Sequence, residues 1–134
     1  MPTREAQVLA LLDRMLANIG RDVLGAVVVA PDGVVLASRL MKDEQIDYLG
    51  AIAATIYGVT ARAVQEFKTG HVDETIIKAN TGLLMVVPIS EDGLLVLDLD
   101  QGANLGMARL EARATATTLR TILASRVSVE RTVG

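Results

Sequence analysis

Three stretches of this chain, "VLGAVVVA" (23–30), "LLMVVPI" (83–89) and "LLVLDL" (94–99), are apolar almost throughout. Their β-branched and aliphatic content predicts strands. A strand with one wet face alternates polar and apolar residues, and these do not. "PDG" (31–33) is a turn signal leading into "VVLAS" (34–38), while "NTG" and "SEDG" separate a further candidate, "HVDETIIKA" (71–79), from the two later strands. Connections this short join antiparallel neighbours. An antiparallel sheet without alternation must be covered on both faces, so the chain needs helices above and below it.

The helices are legible. Val8, Leu11, Leu12, Met15 and Ile19 recur at helical spacing, with Gly20 placed to end that helix. A long helix is predicted from about Glu44 to Lys68, stopping near Gly70. Asn104 is placed as N-cap of a last helix in which Leu105, Ala108, Ala112, Thr115, Leu119 and Ile122 share a face. The order is α-β-β-α-β-β-β-α. The predicted class is α/β: a three-layer α/β/α sandwich around a five-stranded antiparallel sheet, with the middle helix on one face and the terminal helices on the other. One domain spans 1–134, with its core over about 5–125 and a polar, flexible tail at 126–134.

Composition narrows the function. Phe67, Tyr48 and Tyr57 are the only aromatics, so the core is aliphatic. With no cysteine, disulfides, thiolate metal sites and cysteine nucleophiles are excluded, which suits a reducing, cytoplasmic setting. No apolar run reaches the roughly 20 residues of a membrane span, and the charged "MPTREAQVLALLDRML" reads as an amphipathic helix and not a signal peptide. The net charge of -3 without a basic cluster argues against nucleic acid or membrane insertion.

Within the long helix, "YLGAIAATIYGVTARA" (48–63) contains two glycines, each costing roughly 1 kcal/mol against alanine. At about 100° per residue, Leu49, Ile52, Ile56, Thr60, Ala63 and Phe67 form a bulky stripe suited to lie on the sheet. Gly50, Ala54, Gly58 and Ala61 form a second, small-residue stripe with Tyr57 on its margin. Tyr48, Thr55, Arg62 and Glu66 make a polar strip. A helix of about 36 Å overhangs strands of about 20 Å, and small residues let a second backbone approach closely. The small stripe is therefore read as a dimer interface around a two-fold axis. The competing reading is that its glycines fit a tight spot against the sheet or a loop.

The element order, "GAVVVAPDGVVLAS", the long small-residue helix and "TGLLMVVPISEDGLLVLDLDQGANLGMARLEA" together resemble the Roadblock/dynein-light-chain family over about residues 5–125. The similarity is greatest to its short prokaryotic type, including regulators of gliding motility and polarity. The resemblance implies a Roadblock-like (profilin-like) fold and dimers in which the long helices pair and the third strands join two sheets into one. That puts His71, Asp73 and Thr75 at the seam beside Gly50, Ala54, Tyr57, Gly58 and Ala61. It also implies a small Ras-like GTPase as partner, activated or scaffolded without a supplied arginine finger.

Independent chemistry is sparse. There is no G-x-x-x-x-G-K-[ST]. Gly102 and Gly106 lie between a strand and a helix, but loop geometry with an Asn104 cap explains them better than phosphate binding. His71 is the sole histidine, so no histidine-pair zinc motif exists. Asp98 and Asp100 point to one side of the last strand without a third ligand. Ser38 and Ser90 have no histidine near them in sequence, and Arg62, Arg109, Arg113 and Arg120 read as solvated helix faces. No catalytic residue, metal or cofactor is expected.

The expected function is a non-enzymatic homodimeric adaptor that binds a small GTPase through Tyr48, Thr55, Arg62 and Glu66. A purely structural scaffold subunit and a small-ligand sensor domain are the alternatives.

Overall fold

Capping residues fix the helix boundaries. Thr3 Oγ1 accepts the Ala6 N–H at 3.1 Å, opening α1 (Arg4–Ile19), and Gly20 closes it at φ 94° with its N–H on the Leu16 carbonyl. Asn104 Oδ1 accepts the Met107 N–H at 3.0 Å, the cap expected for α3 (Leu105–Val133). Between them lie β1 (Val23–Val29), β2 (Val35–Arg39), α2 (Asp43–Glu66), β3 (Thr75–Lys78), β4 (Gly82–Pro88) and β5 (Leu94–Asp100). The computed structural model describes residues 2–91 and 93–133, the side chains of 43 and 125–133 excepted. The tail expected over 126–134 lies outside the described side chains.

All neighbours in the sheet are antiparallel, in the order β2-β1-β5-β4-β3. The missing alternation has the anticipated cause. Ala26 and Val28 of β1 enter one core with Leu95, Leu97 and Leu99 of β5, under α1 and α3. Val27 and Val29 enter a second core with Leu94 and Val96, under α2. Each fully buried aliphatic side chain contributes about 1.5–3 kcal/mol, which is how a chain with so few aromatics holds together.

Two expectations need correction. The strand expected over 71–79 is only Thr75–Lys78, because His71 and Asp73 precede the ladder and pair with each other at 3.3 Å. The inward face of α2 falls between the two expected stripes, taking part of each: Leu49, Ile56 and Thr60 of the bulky stripe are half-buried, and Gly58 of the small stripe is exposed. Among the expected sheet-facing residues, Leu49 does join the second core, but Ile52 and Phe67 are exposed at 50% and 82%. The most buried residues of α2 are small, Gly50 and Ala53, with Ala54 and Ala61 half-buried beside Tyr57.

Crowding beneath the helix is the physical reason. The sheet already presents Val27, Val29, Val86 and Val96, and the β1–β2 turn folds over the helix. A Cβ on Gly50 would stand 2.5 Å from the Gly33 carbonyl oxygen and 2.9 Å from Val35 Cγ2. At Gly50 the tight-spot reading is therefore correct.

The two edges of the sheet differ. The β2 edge is flanked by α1, where Arg39 Nε donates to Asp13 Oδ1 at 2.8 Å and holds that carboxyl below its ordinary range. Among the described residues, the β3 edge has no strand beyond it.

Candidate protein interface

Seating α2 between its two stripes changes what it offers to solvent. Its outer face carries Tyr48 at 75%, Ile52 at 50% and Val59 at 67% exposure, with Phe67 just past its end. Tyr48, Ile52 and Val59 fall within about 40° of one another around the helix, so they form one surface and not scattered exceptions. Thr55, Arg62 and Glu66 are also exposed and run along the adjacent strip, with the Thr55 hydroxyl returned to the Ala51 carbonyl at 2.9 Å. The polar strip read from sequence is thus on the surface as expected. Bulk does not by itself mark a sheet-facing residue, since Ile52 and Phe67 of the expected sheet-facing stripe are exposed.

The residues read as a dimer seam divide three ways. Gly50 is buried within the chain. Ala54, Tyr57 and Ala61 are half-buried, whereas Gly58 is exposed with nothing near its missing Cβ. Ala54, Tyr57 and Gly58 line a shallow groove of about 280 Å³ with Pro31 and Leu94. His71, Asp73 and Thr75 lie together at the start of the free sheet edge. Thr75 Oγ1 is buried with no hydrogen-bond partner among the described residues.

The sheet itself is incompletely covered. Ile77 pairs with Leu84, and both share the α2 face with Val86, yet neither enters the core beneath α2. They remain half-buried. On the opposite face, Glu74 is fixed by Arg109 Nε at 2.6 Å and Arg113 Nη2 at 2.9 Å, anchoring the entrance of β3 to α3. Two of the arginines considered from sequence are therefore structural.

Asp98 lies opposite Gly25 on one side and Leu84 on the other. Burial pushes its carboxyl up from the ordinary value. Folding then disfavours the ionised form, so the group's effect on stability is most favourable at low pH and worsens as pH rises through the shifted value. Asp98→Asn is expected to raise the urea midpoint at pH 7, with the gain disappearing near about pH 3, where both states are protonated. A gain that persists unchanged at low pH would remove the burial explanation.

Asp100 Oδ2 instead accepts the Gly102 N–H at 3.2 Å, a strand-end turn. No group of three metal-ligating side chains occurs among the described residues. A surface hollow of about 510 Å³ near Tyr57, His71 and Arg120 opens between the loop before β3, the end of β4 and α3. None of the described helices is long and apolar enough to cross a membrane.

Comparison with known proteins agrees with this architecture. Two uncharacterised proteins of Methanocaldococcus jannaschii, MJ0310 and MJ1340, are each 31% identical over 108 residues, covering 79% of this chain and 94% of theirs. The gliding protein MglB of Thermus thermophilus superposes with a TM-score of 0.83 at 22% identity, over 93% of this chain and 94% of that one. At that identity the likeness is one of fold. Residues 9–98 match the Roadblock/LC7 domain, and the chain belongs to the Roadblock/LC7 family.

Proposed function

We propose that the protein is a homodimeric, non-enzymatic adaptor that binds a small Ras-like GTPase and regulates its nucleotide cycle. The observation that carries this reading is the outward face of α2, where Ile52 and Val59 are half or more exposed beside a polar strip. Exposed aliphatics at helical spacing gain most by meeting a second apolar helix, and a two-fold axis supplies one. The uncovered Ile77–Leu84 patch and the free β3 edge lie on the same molecule and add area to that contact.

Once the apolar flank of Ile52 and Val59 is closed, Tyr48 at its border and the polar Thr55, Arg62 and Glu66 remain for the GTPase, presented twice around the axis. Regulation then works by differential binding: the dimer holds one conformation of the GTPase more tightly than the other and shifts its population. Such a mechanism asks for surface complementarity and no catalytic group on this chain.

The test is a GTP hydrolysis assay on the partner GTPase from the same organism, with and without the purified protein, alongside a pull-down in both nucleotide states. Nucleotide-dependent binding with an altered hydrolysis rate is expected. Tight binding at an unchanged rate would reduce the role to scaffolding, and no binding in either state would remove the GTPase from the account.

A further inference from the structure

Two departures from regular backbone lie where β1 begins and β2 ends, and each leaves a leucine exposed. The β1–β5 register slips between Val23 and Gly25, so Leu24 is an extra residue in its strand and is 48% exposed. Past the end of β2, Leu40 holds φ at 67°, a left-handed conformation that L side chains seldom adopt, and is 66% exposed. Met41 then folds back onto β1, its Cγ 3.0 Å from where a Cβ on Gly25 would stand. Gly25 is in turn the register partner of Asp98 on β5. Leu24, Leu40, Met41 and Asp98 are thereby gathered at one corner of the sheet.

The Asp98 carboxylate is the chemical anomaly of this corner. It is half-buried between Gly25 and Leu84, and among the described residues burial alone acts on it, with no donor or cation paired to it. Arg39, next to Leu40 in the chain, is spent on Asp13 of α1. Strain at Leu40 and desolvation at Asp98 both cost the isolated chain, and neither is repaid by a contact within it. An unpaired carboxylate among apolar side chains selects a cation set among aliphatics over a purely aliphatic surface.

We propose that this corner is a docking surface for the GTPase, taking a lysine or arginine flanked by aliphatic side chains, with Asp98 as counter-charge and Leu24, Leu40 and Met41 as the apolar rim. This deepens the proposed function and rests on it.

Continuity and charge favour that occupant. α2 starts just past Met41, and Tyr48 lies near its start, so a GTPase seated on the polar strip at Tyr48 extends over the corner as one surface. A second copy fits poorly. The corner belongs to β2, β1 and β5, away from the free edge at β3. A two-fold contact centred on it brings the two Asp98 carboxylates together, like charges in an apolar setting.

Calorimetric titration of the partner GTPase from the same organism into the purified protein is the test. Asp98→Asn is expected to weaken binding about 10-fold, the loss of one charge partner at a half-buried pair. Leu40→Gly is expected to weaken it severalfold by removing the rim. Both variants should nevertheless raise the urea midpoint, one by removing a desolvated carboxylate and the other by relieving the left-handed backbone, which separates lost binding from lost fold. Val34→Ser, at an exposed residue of the β1–β2 turn at the opposite end of the strands, is expected to bind as wild type does.

Wild-type affinity in both Asp98→Asn and Leu40→Gly, or an equal loss in Val34→Ser, overturns the docking surface and leaves the GTPase reading standing. Weakened self-association of either variant in light scattering, with GTPase affinity intact, overturns the occupant and makes the corner a contact between copies. A wild-type protein that binds the GTPase in neither nucleotide state removes the GTPase reading, and this surface with it.

Discussion

Ile52→Arg combined with Val59→Arg is expected to leave the protein folded and make it monomeric. Both side chains are half or more exposed in the single chain, so a long charged replacement has room and solvent. In a two-fold dimer each substitution appears twice, and four guanidinium groups are brought toward one another in an apolar contact. Truncating an interface anchor commonly costs 2 kcal/mol or more, so burying unpaired charge there should weaken self-association by at least about 100-fold. Light scattering across a dilution series, with circular dichroism as the folding control, measures it. Unchanged dimers in the double variant would mean that α2 pairs through another flank or not at all. Ala54→Arg is a poorer probe, because that half-buried residue lines the groove against Pro31 and Leu94 and its replacement also disturbs the fold.

The second large effect concerns stability. Gly50→Ala is expected to destabilise the protein by about 1–3 kcal/mol, the usual cost of overpacking, even though alanine favours a helix by roughly 1 kcal/mol. The added methyl meets the Gly33 carbonyl oxygen, a backbone atom that moves only if the β1–β2 turn moves with it. Gly58→Ala, eight residues along the same helix, meets nothing and should gain about 0.5–1 kcal/mol. Urea unfolding of the two variants beside wild type gives opposite signs if α2 is seated as described. Equal or greater stability for Gly50→Ala would mean that the turn does not close over the helix.

The opposite behaviour of these glycines shows where sequence reading reached its limit. Both stand in one small-residue stripe of "YLGAIAATIYGVTARA". Periodicity assigns residues to a stripe, but it does not say which stripe meets the sheet. That depends on how much volume the sheet already fills. Val27, Val29, Val86 and Val96 occupy the space beneath α2, so the helix sits close only where its own side chains are small. Of the small stripe, Gly50 is buried while Gly58 is open, and the residues of the polar strip, Tyr48, Thr55, Arg62 and Glu66, are exposed.

What the sequence determined by itself was the layering. Hairpin-length turns made the sheet antiparallel, and the apolar runs of β1, β4 and β5 demanded cover on both faces. Caps at Gly20 and Asn104 marked helix ends because they act on neighbouring backbone groups, which local sequence encodes. Tertiary structure alone decided the strand order β2-β1-β5-β4-β3, the free edge at β3 and the burial of Gly50. Those features arise from contacts between residues far apart in the chain, where the volume and reach of one element set what another can present.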